Sequence, residues 1–238
     1  MASLTFLSHP RDFVRQRWRL LLWGVTALPL LIAFVGFEEP LMLLVLGGLS
    51  LSWMSVSVER RVGYRGEMTV VRRISGVLPE GYALFNQVAV PNPRSRTGAT
   101  EIDAVVVGPT GITVIEVKSN LGTVIAGSDL DDTWPVRKVG RKGTVYYTQM
   151  RNPVRQATRQ ACALRQYLKS RGVNVWVSAL VVAGSRKTQW RTDHSHRVPL
   201  LPLKTRRIEN ALLGSNVRVI DDAVVTRAAE LLGQLVEP

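Results

Sequence analysis

The 238-residue chain is 46% hydrophobic and 21% charged, a balance that excludes wholesale disorder and calls for a packed core. Its single cysteine, Cys162, cannot close an internal disulfide, and three histidines without a CxxC supply no ligand set for a structural zinc. A formal net charge of +13, carried mostly by arginine, favours phosphate polymers or anionic lipid as partners.

In chain order, residues 1–19 form a basic segment with Arg11, Arg15, Arg17 and Arg19. Leu20 to Phe37 is an 18-residue run without a charge, Glu38-Glu39 interrupts it, and Pro40 to Val58 is a second uncharged run of 19. At about 1.5 Å per residue, 18 residues make roughly 27 Å of helix, against a hydrocarbon core of about 30 Å. Trp18, Trp23 and Trp53 lie near the ends, where indole prefers the interface. A cleaved secretory signal fits less well, because the first run is long for one and no A-x-A site follows. Neither run has a polar face at helical spacing, as a soluble helix would. Arg60, Arg61 and Arg65 follow the second run, and only acids separate the two. Residues 20–58 are therefore expected to form a transmembrane helical hairpin of a multi-pass cell-membrane protein with both termini cytoplasmic. Residues 59–238 are the expected cytosolic domain, which holds +12 of the charge.

Within that domain, Gly66-Glu67 opens a helix-like stretch to about Ser75, and Tyr82–Val90 reads as a strand. Pro91 to Thr100 is a loop. Glu101–Val107 and Ile112–Lys118 are β-rich runs around Gly108-Pro109-Thr110-Gly111, which is hairpin chemistry. Ser119 to Arg151 is basic and irregular, with short strands at Thr123–Ile125 and Thr144–Tyr147, and its length marks a functional loop or small insertion. Asn152-Pro153 starts a helix, cap residue first and proline next. Val154, Ala157, Ala161, Leu164 and Leu168 then mark one buried face, and Gly172 ends the helix. Val173–Ala183 is a strand, Gly184 to Pro202 a polar basic loop, and Val217–Ile220 a short strand. Asp221 or Asp222 caps a last amphipathic helix to about Val236. Helix, three strands, helix and strand describe an α/β sandwich with a mixed sheet.

A hairpin symmetric about Pro109–Thr110 would set Val107 against Ile112, Val105 against Val114, and Asp103 against Glu116. Like charges at such positions destabilise a sheet unless something neutralises them, and a divalent cation is the natural partner. Lys118 follows Glu116 by two residues, on the same face. Hard oxygen ligands beside an ammonium are what metal-assisted phosphodiester hydrolysis requires. The pairing depends on register, since a loop one residue longer or shorter makes the acids diagonal.

Gly66-Glu67, Glu101-Ile102-Asp103 leading into Val105–Val107, Gly111-Ile112 through Ile115-Glu116-Val117-Lys118, and Asn152-Pro153-x-x-Gln156 together resemble the nuclease-related domain (NERD) family. That family is placed within the PD-(D/E)xK nuclease superfamily, and the likeness runs from about Arg65 to Ala183. It implies a restriction-endonuclease-like α-β-β-β-α-β sandwich with a mixed central sheet. It also implies that Asp103 and Glu116, joined by Glu67, ligate Mg²⁺ or Mn²⁺, that Lys118 serves catalysis, and that Gln156 supports the site from the second helix. Ile102 stands where the superfamily name has proline.

Arg137, Lys138, Arg141 and Lys142, with Tyr146 and Tyr147, form a basic stretch with aromatics that suits binding of a nucleic-acid strand and equally suits a lipid-facing basic patch. His194 and His196 read as solvated, Asp129, Asp131 and Asp132 as an incomplete calcium loop, and Cys162 as a packed, inert thiol. The expected function is a membrane-anchored, Mg²⁺-dependent nuclease that hydrolyses DNA, in preference to RNA, with an activated water. The alternative is a catalytically silent nucleic-acid-binding tether or membrane-surface scaffold on the same fold.

Overall fold

The computed structural model describes residues 5–6, 63–214 and 219–236, all belonging to one compact unit. Both expected spans lie outside these residues, as does the domain boundary at residue 59. Among the described residues no helix is long and apolar enough to cross a membrane.

The fold is mixed α/β. Helix α1 covers 63–75, and strands β2 (Ala83–Pro91), β3 (Ala99–Gly108) and β4 (Gly111–Lys118) follow as an antiparallel meander. Helix α2 (Pro153–Ser170) then leads to β8 (Val177–Ala183), which pairs with β4 in parallel. Two short parallel edge strands, β1 (Thr5–Phe6) and β10 (Leu200–Leu201), complete a six-stranded sheet in the order β1-β2-β3-β4-β8-β10. The expected helix–three strands–helix–strand order is thus present.

Strands β3 and β4 are apolar on both faces because helices cover both. On one side Val105, Val107, Ile112 and Val114 pack with Ala161, Leu164 and Leu168 of α2 and with Ala228, Leu231 and Leu232 of α4 (Asp222–Gly233). On the other side Ala104, Val106, Ile115 and Val117 pack with Val70, Val71 and Ile74 of α1 and with Ile208 and Leu212 of α3 (Thr205–Leu213). Each fully buried Leu or Ile contributes about 2 kcal/mol. The Asn152 cap works as its sequence predicts: Oδ1 accepts the N–H groups of Val154 and Arg155 at 2.9 and 3.2 Å. Its Nδ2 also donates to the carbonyls of Ser128, Asp129 and Asp131, tying the preceding loop to the helix.

The stretch expected to be irregular departs most from the reading. Residues 119–151 hold three strands: β5 (Gly122–Ala126) and β7 (Val145–Arg151), which overlap the short strands expected at Thr123–Ile125 and Thr144–Tyr147, and β6 (Thr133–Val139), which is not expected; the expected loop 184–202 supplies β9 (Thr188–Thr192). They form a second sheet in the order β7-β6-β5-β9. Basic residues on its open face and Pro135 within β6 mask the alternation: the β5–β6 ladder stops at Val136, next to the residue that has no N–H. Its inner face, with Val124, Ala126, Trp134, Val136 and Met150, packs against Val154 and Ala157 of α2 and Val181 of β8. Helix α3 is not anticipated at all; only two of its residues, Ile208 and Leu212, are buried. Of the strand expected at 217–220, residues 217–218 lie outside the described residues. Val219 and Ile220 are not strand, and both donate their N–H to the Pro109 carbonyl. Cys162 is exposed, one position beyond the packed stripe.

Candidate active site

The β3–β4 register follows the predicted symmetry through five pairs, from Gly108↔Gly111 to Ala104↔Ile115. It ends one pair short of Asp103 and Glu116, so the two acids are not ladder partners. Instead the Asp103 carboxylate enters the gap and its Oδ2 accepts the Val117 N–H at 2.8 Å. On its other flank β4 continues alongside β8, with Glu116 opposite Val181 and Lys118 opposite Ala183. Across β2 the ladder skips the position facing Asp103, where Gln87 takes a left-handed φ of 53°. That conformation is uncommon for a non-glycine residue and marks a local distortion of the sheet. The sheet therefore splits where the acids lie.

Glu116 is 1% exposed, and a charge so placed must be compensated. Lys118 Nζ lies 2.6 Å from its Oε1, and Gln160 of α2 donates Nε2 to its Oε2 at 2.7 Å. Lys118 Nζ also donates to Gln156 Oε1 at 2.8 Å. Gln156 and Gln160 are one helical turn apart on the same flank of α2, and their amides hold the lysine and the glutamate respectively. Gln160 Nε2 further donates to the Glu101 carbonyl at 3.0 Å, while its buried Oε1 has no hydrogen-bond partner among the described residues.

Glu67 reaches the site from α1. It stands beyond the first turn of the described helix, so attraction to the helix N-terminus does not account for its place. The approach of α1 needs two glycines: a Cβ on Gly66 would overlap Ser119 Oγ, and one on Gly184 would lie 3.1 Å from Gly66 Cα. Burial first, then the neighbouring Glu116 charge, raises the Glu67 pKa, although Lys118 and the Gln87 side chain oppose it. Asp103 is raised well above its ordinary 3.8, again by burial first and then by Glu116 and Glu67, against the Val117 N–H and Lys118. Three carboxylates thus repel one another around one ammonium.

These residues fit a hard divalent cation by donor chemistry: oxygen ligands in surplus negative charge, with an orphaned amide oxygen beside them. They do not form a finished cage, since no three His, Cys, Asp or Glu among the described residues converge closely enough to hold an ion. Both Glu116 oxygens are already engaged within the chain.

Of the five residues anticipated for catalysis, Glu116, Lys118 and Gln156 are joined by hydrogen bonds, and Asp103 and Glu67 by electrostatic coupling. Gln160 and Gln87 escape sequence reasoning. For Gln160 the available signal is its place one turn from Gln156; Gln87 offers none. The anticipated nucleic-acid residues do not share a face: Arg137 and Lys138 alternate across β6, and Arg141 and Lys142 lie in the turn after it. His196 is not solvated, for its side chain is 5% exposed, with Nδ1 2.7 Å from Asp129 Oδ1 and Nε2 2.8 Å from Thr192 Oγ1. Partial burial works to raise the Asp129 pKa, but the Arg197 N–H and His196 hold it below its ordinary value. Asp131 Oδ2 accepts the Ser128 N–H, and Asp132 pairs with Arg155.

Residues 62–184, just over half of the chain, match the model of the nuclease-related domain family. No curated protein and no solved structure matches the chain.

Proposed function

The chain belongs to the nuclease-related domain family, and from that premise and the site geometry we propose that it is a divalent-cation-dependent nuclease held at the cytoplasmic face of the cell membrane. The order α1-β2-β3-β4-α2-β8 supports a restriction-endonuclease-like fold for residues 59–238. The observation that carries the chemistry is the chain Gln160–Glu116–Lys118–Gln156 at the split between β3 and β4, with Asp103 in the split.

Asp103 and Glu116, with Glu67, are the groups that would hold Mg²⁺ or Mn²⁺. A bound cation supplies positive charge against the scissile phosphate. Lys118 has three ammonium hydrogens, of which Glu116 and Gln156 take two, leaving one for a phosphate oxygen or the attacking water. With its side chain 18% exposed, it meets solvent while staying fixed. Hydrolysis forms one P–O bond from water and breaks the P–O bond to the leaving sugar oxygen, which takes up a proton. DNA is the proposed substrate, in keeping with the basic domain.

Anchoring rests on the uncharged runs within residues 20–58 and on one feature of the sheet. Thr5–Phe6 pairs with Leu84–Phe85, so the chain before those runs and the chain after them share one sheet. A shared sheet is compatible with a two-span hairpin, which would put both flanks on one side of the bilayer.

The test is cleavage of plasmid DNA, and of RNA alongside, by the full chain in detergent with Mg²⁺, Mn²⁺ or EDTA. Glu116→Gln and Lys118→Ala should each lower the rate by about 10²–10³ while leaving binding in EDTA intact. Failure of the folded wild type to cut any DNA or RNA would defeat the proposal. Engagement of both Glu116 oxygens favours a second reading, a silent nucleic-acid tether. Salt-sensitive DNA binding, indifferent to Mg²⁺ and to Asp103→Ala and without cleavage, would select it.

A further inference from the structure

We propose that the open face of the second sheet binds single-stranded nucleic acid, with Tyr147 stacking on a base and arginines on the neighbouring strands gripping the phosphates. That this strand belongs to the substrate rests on the nuclease reading; that the face binds it does not.

The register brings one row of side chains across all four strands: Gln189 of β9 faces Thr123 of β5, Thr123 faces Arg137 of β6, and Arg137 faces Tyr147 of β7. Period-two alternation puts this row opposite buried Val124, Val136 and Trp134, so it points away from the core. The next positions on the same face add Arg191 opposite Ile125, Gln149 opposite Pro135, and Arg151 opposite Thr133. The strands bring three arginines to this face and no carboxylate. Arg137, Arg151 and Arg191 are all exposed, and none has an ion-pair partner among the described residues. Tyr147 is 60% exposed, a large ring turned to solvent with a guanidinium on the adjacent strand.

A sheet face that combines arginines with no ion-pair partner among the described residues, an exposed ring and side-chain amides has the chemistry of a stacking platform. Stacking on Tyr147 needs a free base face, which single strands offer and a continuous duplex hides between its pairs. A lipid interface also accepts arginine and tyrosine, but the side-chain amides of Gln149 and Gln189 match the hydrogen-bonding edges of an unpaired base. The platform is also tied to the candidate active site along the backbone. Thr123 lies five residues beyond Lys118, and Gly122, where β5 starts, donates its N–H to the Lys187 carbonyl just before β9.

The test is fluorescence anisotropy of a labelled oligothymidylate of about 20 nucleotides and of a blunt duplex of equal length, with the full chain in detergent and EDTA present. Tyr147→Ala should weaken oligothymidylate binding about tenfold or more, change duplex binding less than about twofold, and be rescued by Tyr147→Phe. Arg137→Ala combined with Arg191→Ala should flatten the log affinity against log salt slope for the single strand by about 1.4. Melting temperatures should match wild type, since all three side chains are exposed; should Tyr147→Ala not fold, the arginine pair decides alone. Oligothymidylate affinity unchanged in these variants, or single strand and duplex weakened equally, would overturn the inference. So would arginine variants that, with the chain reconstituted into neutral-lipid nanodiscs free of detergent, lose binding to phosphatidylserine vesicles while keeping the oligonucleotide. Plasmid cleavage by the wild type with unchanged oligothymidylate affinity in the variants removes this inference alone. Tyrosine-dependent strand binding by a wild type that cuts nothing removes the nuclease reading alone.

Discussion

The two sheets of this domain divide its charge between them. The first, covered by helices on both faces, concentrates Glu67, Asp103 and Glu116 around Lys118 where β3 parts from β4. The second, covered on its inner face, turns arginines and a tyrosine to solvent with no carboxylate among them. Buried like charges cost stability and are tolerated where chemistry uses them, whereas exposed arginines cost almost nothing and act at longer range. One sheet holds charges that repel one another, and the other presents charge of one sign to solvent.

The largest effect expected from breaking this comparison is in the second sheet's inner face. Trp134 is fully buried, donates Nε1 to the Ser128 carbonyl at 3.1 Å, and packs against the His196 ring. Trp134→Ala should destabilise the domain by about 3–5 kcal/mol, whereas Tyr147→Ala on the opposite face should change stability by less than about 0.5 kcal/mol. Urea unfolding of the two variants measures the difference. Equal losses would mean that the open face is part of the core.

Smaller is the effect of removing one support from the first sheet. Gln160→Leu keeps volume in the core but strips the donor from Glu116 Oε2 and from the Glu101 carbonyl. It should cost about 1–3 kcal/mol and, under the nuclease reading, lower kcat about 10–100-fold with KM little changed. A normal kcat with the expected loss of stability would make Gln160 a packing residue only.

That asymmetry between the sheets also decides what the sequence could reveal. Where the signal is strong, in the continuous apolar runs of β3 and β4 on either side of one short turn and in the helical stripe of α2, elements, register and cap are readable, the register coming from the turn. The Asp103–Glu116 pair stood one rung past the true end of its ladder, and no periodicity signals where two strands separate. The second sheet hid behind Arg137, Arg151 and Arg191, since an open face need not be apolar, and its fourth strand arrives from beyond α2. Gln160 is, by sequence, a polar residue beside the apolar stripe of α2, and only the tertiary fold sets it against Glu116.

The finest discrimination is a gain rather than a loss. Asp103 has its pKa raised in the folded chain by burial and by two neighbouring carboxylates. The native state therefore holds its proton more tightly than the unfolded chain does. Below about the ordinary 3.8 both states are protonated and Asp103 costs nothing. As pH climbs past that value the unfolded chain ionises first, and stability falls until the folded carboxyl has ionised too. Asp103→Asn keeps an acceptor for the Val117 N–H but removes the charge. In EDTA near pH 8 it should be the more stable form by about 1 kcal/mol, or about 2–4 °C in Tm, and the gap should close toward pH 4. Mg²⁺ should raise the Tm of wild type and not of the variant, narrowing the same gap from the other side. An Asp103→Asn chain that melts below wild type at pH 8 without metal would show that the acid stabilises the fold. The first sheet would then hold no strain for a cation to relieve.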